Sequence, residues 1–312
     1  MKKNFEINKD RIGMLKKSLH YRELTDCIIT LNELINYTNS RMNVLISQLN
    51  NDLPETERDA ILRKIIVAER KFRHMIDVPE LCLKRCDLKN YNQEKSLLLT
   101  IIGILHDLGR IDEIIGQDKN NVFKGRVDHA SIGANYLVKG AELSIDDKIH
   151  EFVPSYLVRD YWEIIKNCVL YHGSLNIPYE KFATNLEKAL IEDIRLIDKS
   201  SIMNSFLHED IETIIGIPAS KLALTSISDK TFEELTTEQQ VNRKLEGEEY
   251  TKNRHFMSHV GFIYDMTDYS MLEDNWVSKY LSIYIPIIEN DQNKKTEIEK
   301  QAVKRIERFS KR

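Results

Sequence analysis

The chain is 312 residues long, 42% hydrophobic and 30% charged, a balance that supports a large buried core and excludes an intrinsically disordered protein. With 45 Lys+Arg against 49 Asp+Glu, the formal net charge of -4 leaves no global basic field, so a nucleic-acid polymer is not an expected partner. Four scattered cysteines build no disulfide framework, and 11 Gly and 6 Pro are sparse punctuation for a β-rich fold.

In chain order, the segment MKKNFEINKDRIGML carries basic residues but no apolar core of signal-peptide length. No window downstream approaches the run of roughly 18 apolar residues that a membrane span needs. The expectation is a cytoplasmic protein without a membrane partner. A first helical pattern covers residues 22–49. The segment from 56 to 85 then places Ile61, Ile65, Ala68, Phe72 and Met75 at spacings of three and four, one core-directed face, with Thr56 suited to cap it. Cys82 and Cys86, one turn apart near its end, are suited to a shared metal but read better as buried, inert thiols, as do Cys27 and Cys168.

Further helical patterns cover residues 94–108, 128–139, 159–172, 184–204 and 293–311, with loops expected near 116–127, 173–181 and 216–231. The one β-like run, LSIYIPII at 281–288, contains Pro286, which argues against an interior strand. The fold class expected is all-α: N-terminal helices over 1–55, a helical bundle over 56–205, and a mostly helical C-terminal extension over 206–312 whose role the sequence leaves open.

The chemistry-bearing stretch is LLLTIIGILHDLGRID, residues 97–112. An apolar run that should be buried ends in His106 and Asp107, and burying such groups uncompensated costs several kcal/mol. Either the pair caps the helix or it holds something. His74, His129 and His172 fall on helix faces or ends elsewhere, and Asp198 follows in IEDIRLIDKSS. Nitrogen and oxygen ligands of this kind suit Mn²⁺, Fe²⁺, Co²⁺, Ni²⁺ or Zn²⁺ better than Ca²⁺. Spacing alone does not bring them together.

The order H, HD, then a later D, each on its own helix, resembles the HD superfamily of metal-dependent phosphohydrolases. HDLGR at 106–110 is close to that family's HD(I/L)G(K/R) signature, and DHASIGANYL and YHG resemble the segments that supply extra histidines in two-metal members, although many relatives have HH where this chain has YHG. The likeness covers about residues 70–200. It implies an HD-domain helical bundle in which His74, His106, Asp107 and Asp198 hold one divalent metal, and Asp107 bridges to a second held by His129 and His172. The implied cofactor is one or two ions, with Mg²⁺ also admissible. Such a centre would activate water and neutralise a phosphate under attack, with Arg110 and Lys199 as electrostatic helpers beside Asp107 in catalysis.

The substrate expected is a small phosphorylated molecule, a nucleotide by preference. Neither the GYP element of the cyclic-dinucleotide phosphodiesterases nor the ED pair of the guanosine tetraphosphate hydrolases is present. A di-iron oxygenase and a non-catalytic nucleotide sensor are the alternatives. Asp128 either orients the His129 ring or caps its helix. Tyr161, Trp162 and Tyr171 could stack on a base, with core packing the default. His255 and His259 form an i, i+4 pair that could bind zinc, yet no glutamate completes an HExxH motif. The tail helix, with Ile298, Ala302, Ile306 and Phe309 as its stripe, is a candidate homo-oligomer contact.

Overall fold

The computed structural model describes residues 9–49, 53–116, 128–137, 152–174, 176–241 and 251–310. The described residues are helical with no strand, so the protein is all-α. It divides into two compact units, Met1–Asp198 and Lys199–Arg312.

The first unit contains α1 (Lys9–Tyr21), α2 (Thr25–Ser47), α3 (Glu55–Lys89), α4 (Gln93–Leu105), α5 (Arg110–Gly116), α6 (His129–Tyr136), α7 (Ser155–Tyr171) and the start of α8 (Asn185–Ser205). α4 is the central element, packed against α2, α3 and α7. Its side chains from Leu98 to Leu105 are fully buried, and each Leu or Ile so buried contributes about 1.5–3 kcal/mol. Asn92 caps its start by accepting the Lys95 amide, and α3 stops at Asn90, which adopts the left-handed conformation that closes a helix. Along α3 the expected face is the buried one: Ile65, Ala68, Phe72 and Met75 are interior, and Ile61 packs at its edge. Pro54, not Thr56, precedes that helix, so the hydroxyl expected to cap it sits inside the first turn.

Ion pairs tie the outer helices to this core. Arg11 of α1 donates to Glu80 at 2.7 Å, and Arg41 of α2 pairs with Asp112 of α5 at 2.5 Å. At the other end, buried Asp193 of α8 accepts from Arg85 at 3.0 Å and Tyr91 at 2.7 Å, and Lys95 lies 3.1 Å away. That triple contact fixes the helix that carries Asp198.

The second unit contains α9 (Ile211–Ile215), α10 (Ala219–Leu222), α11 (Asp229–Thr236), α12 (Lys252–Ser258), α13 (Phe262–Asp265), α14 (Trp276–Ile283) and α15 (Glu289–Ser310). Its core is aromatic: Tyr280 stacks on Trp276 and on Phe256, with ring centroids 4.6 and 4.3 Å away. Ile298 and Ala302 of α15 are buried, whereas Ile306 and Phe309 are half-buried. The β-like run at 281–288 begins as the end of α14 and continues without a strand, because Leu281 completes that helix's buried face. The loop expected at 216–231 instead contains α10 and the start of α11, whose N-cap Ser228 accepts the Thr231 amide. Residues 117–127 of the other expected loop lie outside the described residues, as do 138 and 139 at the end of the helix expected over 128–139. Among the described residues no helix is long and apolar enough to cross a membrane.

Candidate metal centre

His106 and Asp107 begin the turn that follows α4, buried at 0% and 2% exposure. Two close helix approaches bring partners to them. Gly103 lies where a Cβ would meet the Cys82 sulfur at 2.5 Å, so α4 and the His74-bearing α3 cross closely. A Cβ on Gly109 would stand 2.3 Å from the His129 carbonyl oxygen and 2.6 Å from the Gly133 nitrogen. The glycine of HDLGR is therefore what admits the first turn of α6, and with it His129, beside Asp107.

Two groups result that could hold a metal ion: His74, His106 and Asp107; and Asp107, His129 and His172. In the first, His74 Nε2 lies 3.2 Å from His106 Nε2 and 2.9 Å from an Asp198 oxygen, with Asp107 Oδ2 3.9 Å from both imidazoles. In the second, Asp107 Oδ1 lies 3.1 Å from His129 Nε2 and 3.6 Å from His172 Nε2, and those nitrogens are 3.4 Å apart. The rings of His74, His106, His172 and His129 form an edge-to-face row with successive centroids 5.2, 5.3 and 5.3 Å apart.

The donor chemistry fits a cation. His106 Nδ1 donates to the Gly103 carbonyl and His172 Nδ1 to the Val169 carbonyl, each at 2.8 Å and three residues back. Those bonds fix both tautomers and aim each Nε2 inward. Burial lowers the His106 pKa to about 3, which keeps the ring neutral, the form that binds metal. Burial also works to raise Asp107, but Arg110, His129 and His106 hold it well below the usual carboxylate range, and His74 does the same for Asp198. At His172 burial pulls the pKa down and the Asp107 and Asp198 carboxylates more than offset it. The inward Nε2 lone pairs of His106 and His172, buried beside two ionised carboxylates, are stabilised by positive charge.

All six sequence-expected ligands thus converge within the first unit. Asp128 precedes α6 without capping it; its carboxylate lies 3.1 Å from His129 Nδ1, the orienting role, and that contact lowers its pKa to about 2. Arg110 lies in the centre, donating to Asp107 at 3.3 Å and to His129 Nε2 at 2.7 Å, with Glu113 accepting its other nitrogen at 2.5 Å. Lys199 follows Asp198 on α8, and its ammonium pairs with Asp265. Tyr161 donates to Glu94 at 2.8 Å, and the Tyr171 hydroxyl accepts from Lys181 at 2.8 Å.

Three contributors escape sequence reading. Lys71 lies one turn before His74 on α3, and burial together with Arg110 lowers its pKa to about 8 while Asp107 and Asp198 oppose them. Helical spacing from His74 is the signal that could have found it. Arg195 of α8 donates to the His172 carbonyl at 3.1 Å and also to Ser174, so a cation clamps the C-terminal end of α7 where His172 sits. Glu113 anchors Arg110. Cys82, Cys86 and the His255–His259 pair belong to neither metal-competent group, the groups found among the described residues. Burial raises the Cys27, Cys82 and Cys168 thiols, which keeps them protonated. Compared with protein-family models, curated proteins and solved structures, the chain matches none.

Proposed function

We propose that the chain is a metal-dependent phosphohydrolase of the HD superfamily, acting on a phosphate ester of a small molecule, with a nucleotide as the substrate class. The observation that carries this reading is the pair of histidine-rich, metal-competent groups sharing Asp107, with the Arg110 guanidinium beside them. His74, His106, Asp107 and Asp198 are the residues that would hold a divalent ion. Such an ion supplies a Lewis acid for a phosphate oxygen and lowers the pKa of water towards neutrality. Arg110 would bind a second phosphate oxygen through a charge-assisted hydrogen bond, and Lys71 adds a cation on the same side of α3 as His74. His106, His172 and Leu108 are buried, so these charges act in a weakly screening environment.

The test is a panel of nucleotides and other phosphate mono- and diesters offered to Mn²⁺-loaded protein. Release of phosphate or of a nucleoside product is expected, abolished by chelation and in His106→Ala. A metal-loaded, folded protein that hydrolyses nothing on the panel, and instead consumes oxygen when loaded with iron under reducing conditions, would replace this reading with the oxygenase one.

A further inference from the structure

Arg110 occupies a position that a second metal would need. Its Nη2 donates to His129 Nε2 at 2.7 Å and to Asp107 Oδ1 at 3.3 Å, and its Nε lies 3.4 Å from Asp107 Oδ2. A guanidinium has no acceptor, so the His129 Nε2 lone pair is committed to it. The tautomer agrees, because His129 Nδ1 then carries the proton and faces the Asp128 carboxylate at 3.1 Å. A divalent ion in the Asp107, His129 and His172 group would have to lie about 2.0–2.2 Å from that same lone pair and from Asp107 Oδ1. It would meet Nη2 inside contact distance and add two charges where one is already fixed.

The arginine is also held in place. Buried Glu113, one turn along α5, accepts Nη1 at 2.5 Å. Charge bookkeeping points the same way. With the histidines neutral, the charged groups around the centre are Asp107, Asp198, Glu113 and Asp128 against Arg110, Lys71 and Arg195, which sum to minus one before any metal, since minus four plus three is minus one. One divalent ion brings the centre to plus one, a charge suited to an anionic phosphate, whereas two would bring it to plus three in a buried pocket.

We infer that the Arg110 guanidinium, tethered by Glu113, takes the second cation's place, so that the chain holds a single metal at His74, His106, Asp107 and Asp198 and uses arginine as its partner. The inference rests on the metal reading above, and counting ions separates the two. His129 then serves as the acceptor that positions Arg110, with His172 packed beside it at 3.4 Å, and neither is the ligand of a second ion. Arginine donates hydrogen bonds to phosphate but cannot acidify water, so the two halves of the centre divide activation from charge neutralisation.

Full-length protein titrated with Mn²⁺ alone, followed by calorimetry and electron paramagnetic resonance, tests this. Wild type should take up one equivalent in a single-site isotherm with an uncoupled six-line Mn²⁺ spectrum. Arg110→Met, of similar length but uncharged, should accept a second equivalent and develop an exchange-coupled signal. Two equivalents in wild type would overturn the inference while leaving the metal reading standing, and one equivalent in both proteins would overturn the excluding role of Arg110. No uptake by wild type would overturn both. Should Arg110→Met fail to fold, Arg110→Gln is titrated in its place, with a second equivalent expected and a single equivalent overturning the excluding role in the same way.

Discussion

The His74–His106 pair of the first unit and the His255–His259 pair of the second have the same ring separation, 5.2 Å between centroids, yet opposite surroundings. His106 faces His74 and the carboxylates of Asp107 and Asp198, with its own Nδ1 proton donated to the backbone. His259 is packed against Phe206 at 4.2 Å and Phe262 at 5.5 Å, and its Nδ1 faces the Phe256 carbonyl at 3.2 Å and the Tyr280 hydroxyl at 3.4 Å. Proximity of imidazoles therefore does not make a metal centre. Two things do: lone pairs turned inward by backbone acceptors, and ionised carboxylates that supply charge. His259 has the first ingredient in part and, among the described residues, belongs to no metal-competent group.

Breaking the comparison at its strongest point means removing the shared carboxylate. Asp107→Asn should abolish metal uptake and hydrolysis together, read by metal analysis and the phosphate-release assay. Asp107→Ala should in addition destabilise the metal-free fold by about 1–3 kcal/mol, because it leaves the Arg110 hydrogen bonds to Asp107 unmade while Glu113 still pairs the charge. Wild-type turnover in either folded variant would end the metal reading. A smaller effect is expected from Asp128→Ala, which takes away the acceptor that orients His129 but touches none of the four assigned ligands. In the wholly dinuclear alternative that loss should weaken the second ion by about 10–100-fold. In the single-metal arrangement Mn²⁺ affinity should stay within a few-fold of wild type, and isothermal titration distinguishes these.

The aromatic pair gives the converse experiment. His259→Ala should leave metal content and activity untouched while lowering thermal stability, by about 2 kcal/mol or more, since it opens a cavity between Phe206 and Tyr280. Denaturant melts alongside metal analysis would detect any departure from that split. The mildest test is pH. The folded-state pKa of His106 is depressed by burial to about 3, below its ordinary unfolded value of about 6.5, so its contribution to stability is present above the unfolded pKa and lost as pH falls towards the folded one. Metal-free wild type should therefore lose melting temperature more steeply between pH 6 and 4, roughly the window those two values define, than metal-free His106→Gln. Parallel slopes would mean that the ring is not held neutral by burial.

Much of this was legible before any coordinates. The long helices announce themselves through spacing: the Ile65, Ala68, Phe72 and Met75 face of α3 and the unbroken apolar run of α4 follow from periodicity, since both must bury against neighbours. The metal-competent residues were legible as a set of types in order. What a linear pattern lacks is the packing that selects among them. The Gly109 contact with α6, the Arg195 clamp on the end of α7 and the Glu113 tether on Arg110 all join residues on different elements or different turns, and Lys71 resembles any surface lysine until α3 is placed. Lys199 shows what adjacency leaves open: consecutive helical residues point about 100° apart, and it takes the structure to pair its ammonium with Asp265. The short helices α9 to α14 carry too few turns for a period to emerge, and the division between the units falls inside α8, where a continuous helix leaves no linker to read.

The most direct test of the central claim, that the buried histidine and aspartate cluster of the first unit binds a divalent ion, is an anomalous-difference map from crystals of full-length protein grown with Mn²⁺. The predicted result is one strong peak enclosed by His74, His106, Asp107 and Asp198, with Mn–N and Mn–O distances of about 2.0–2.3 Å and the Arg110 guanidinium still on His129. A map with no peak among those four side chains at saturating Mn²⁺ would contradict it.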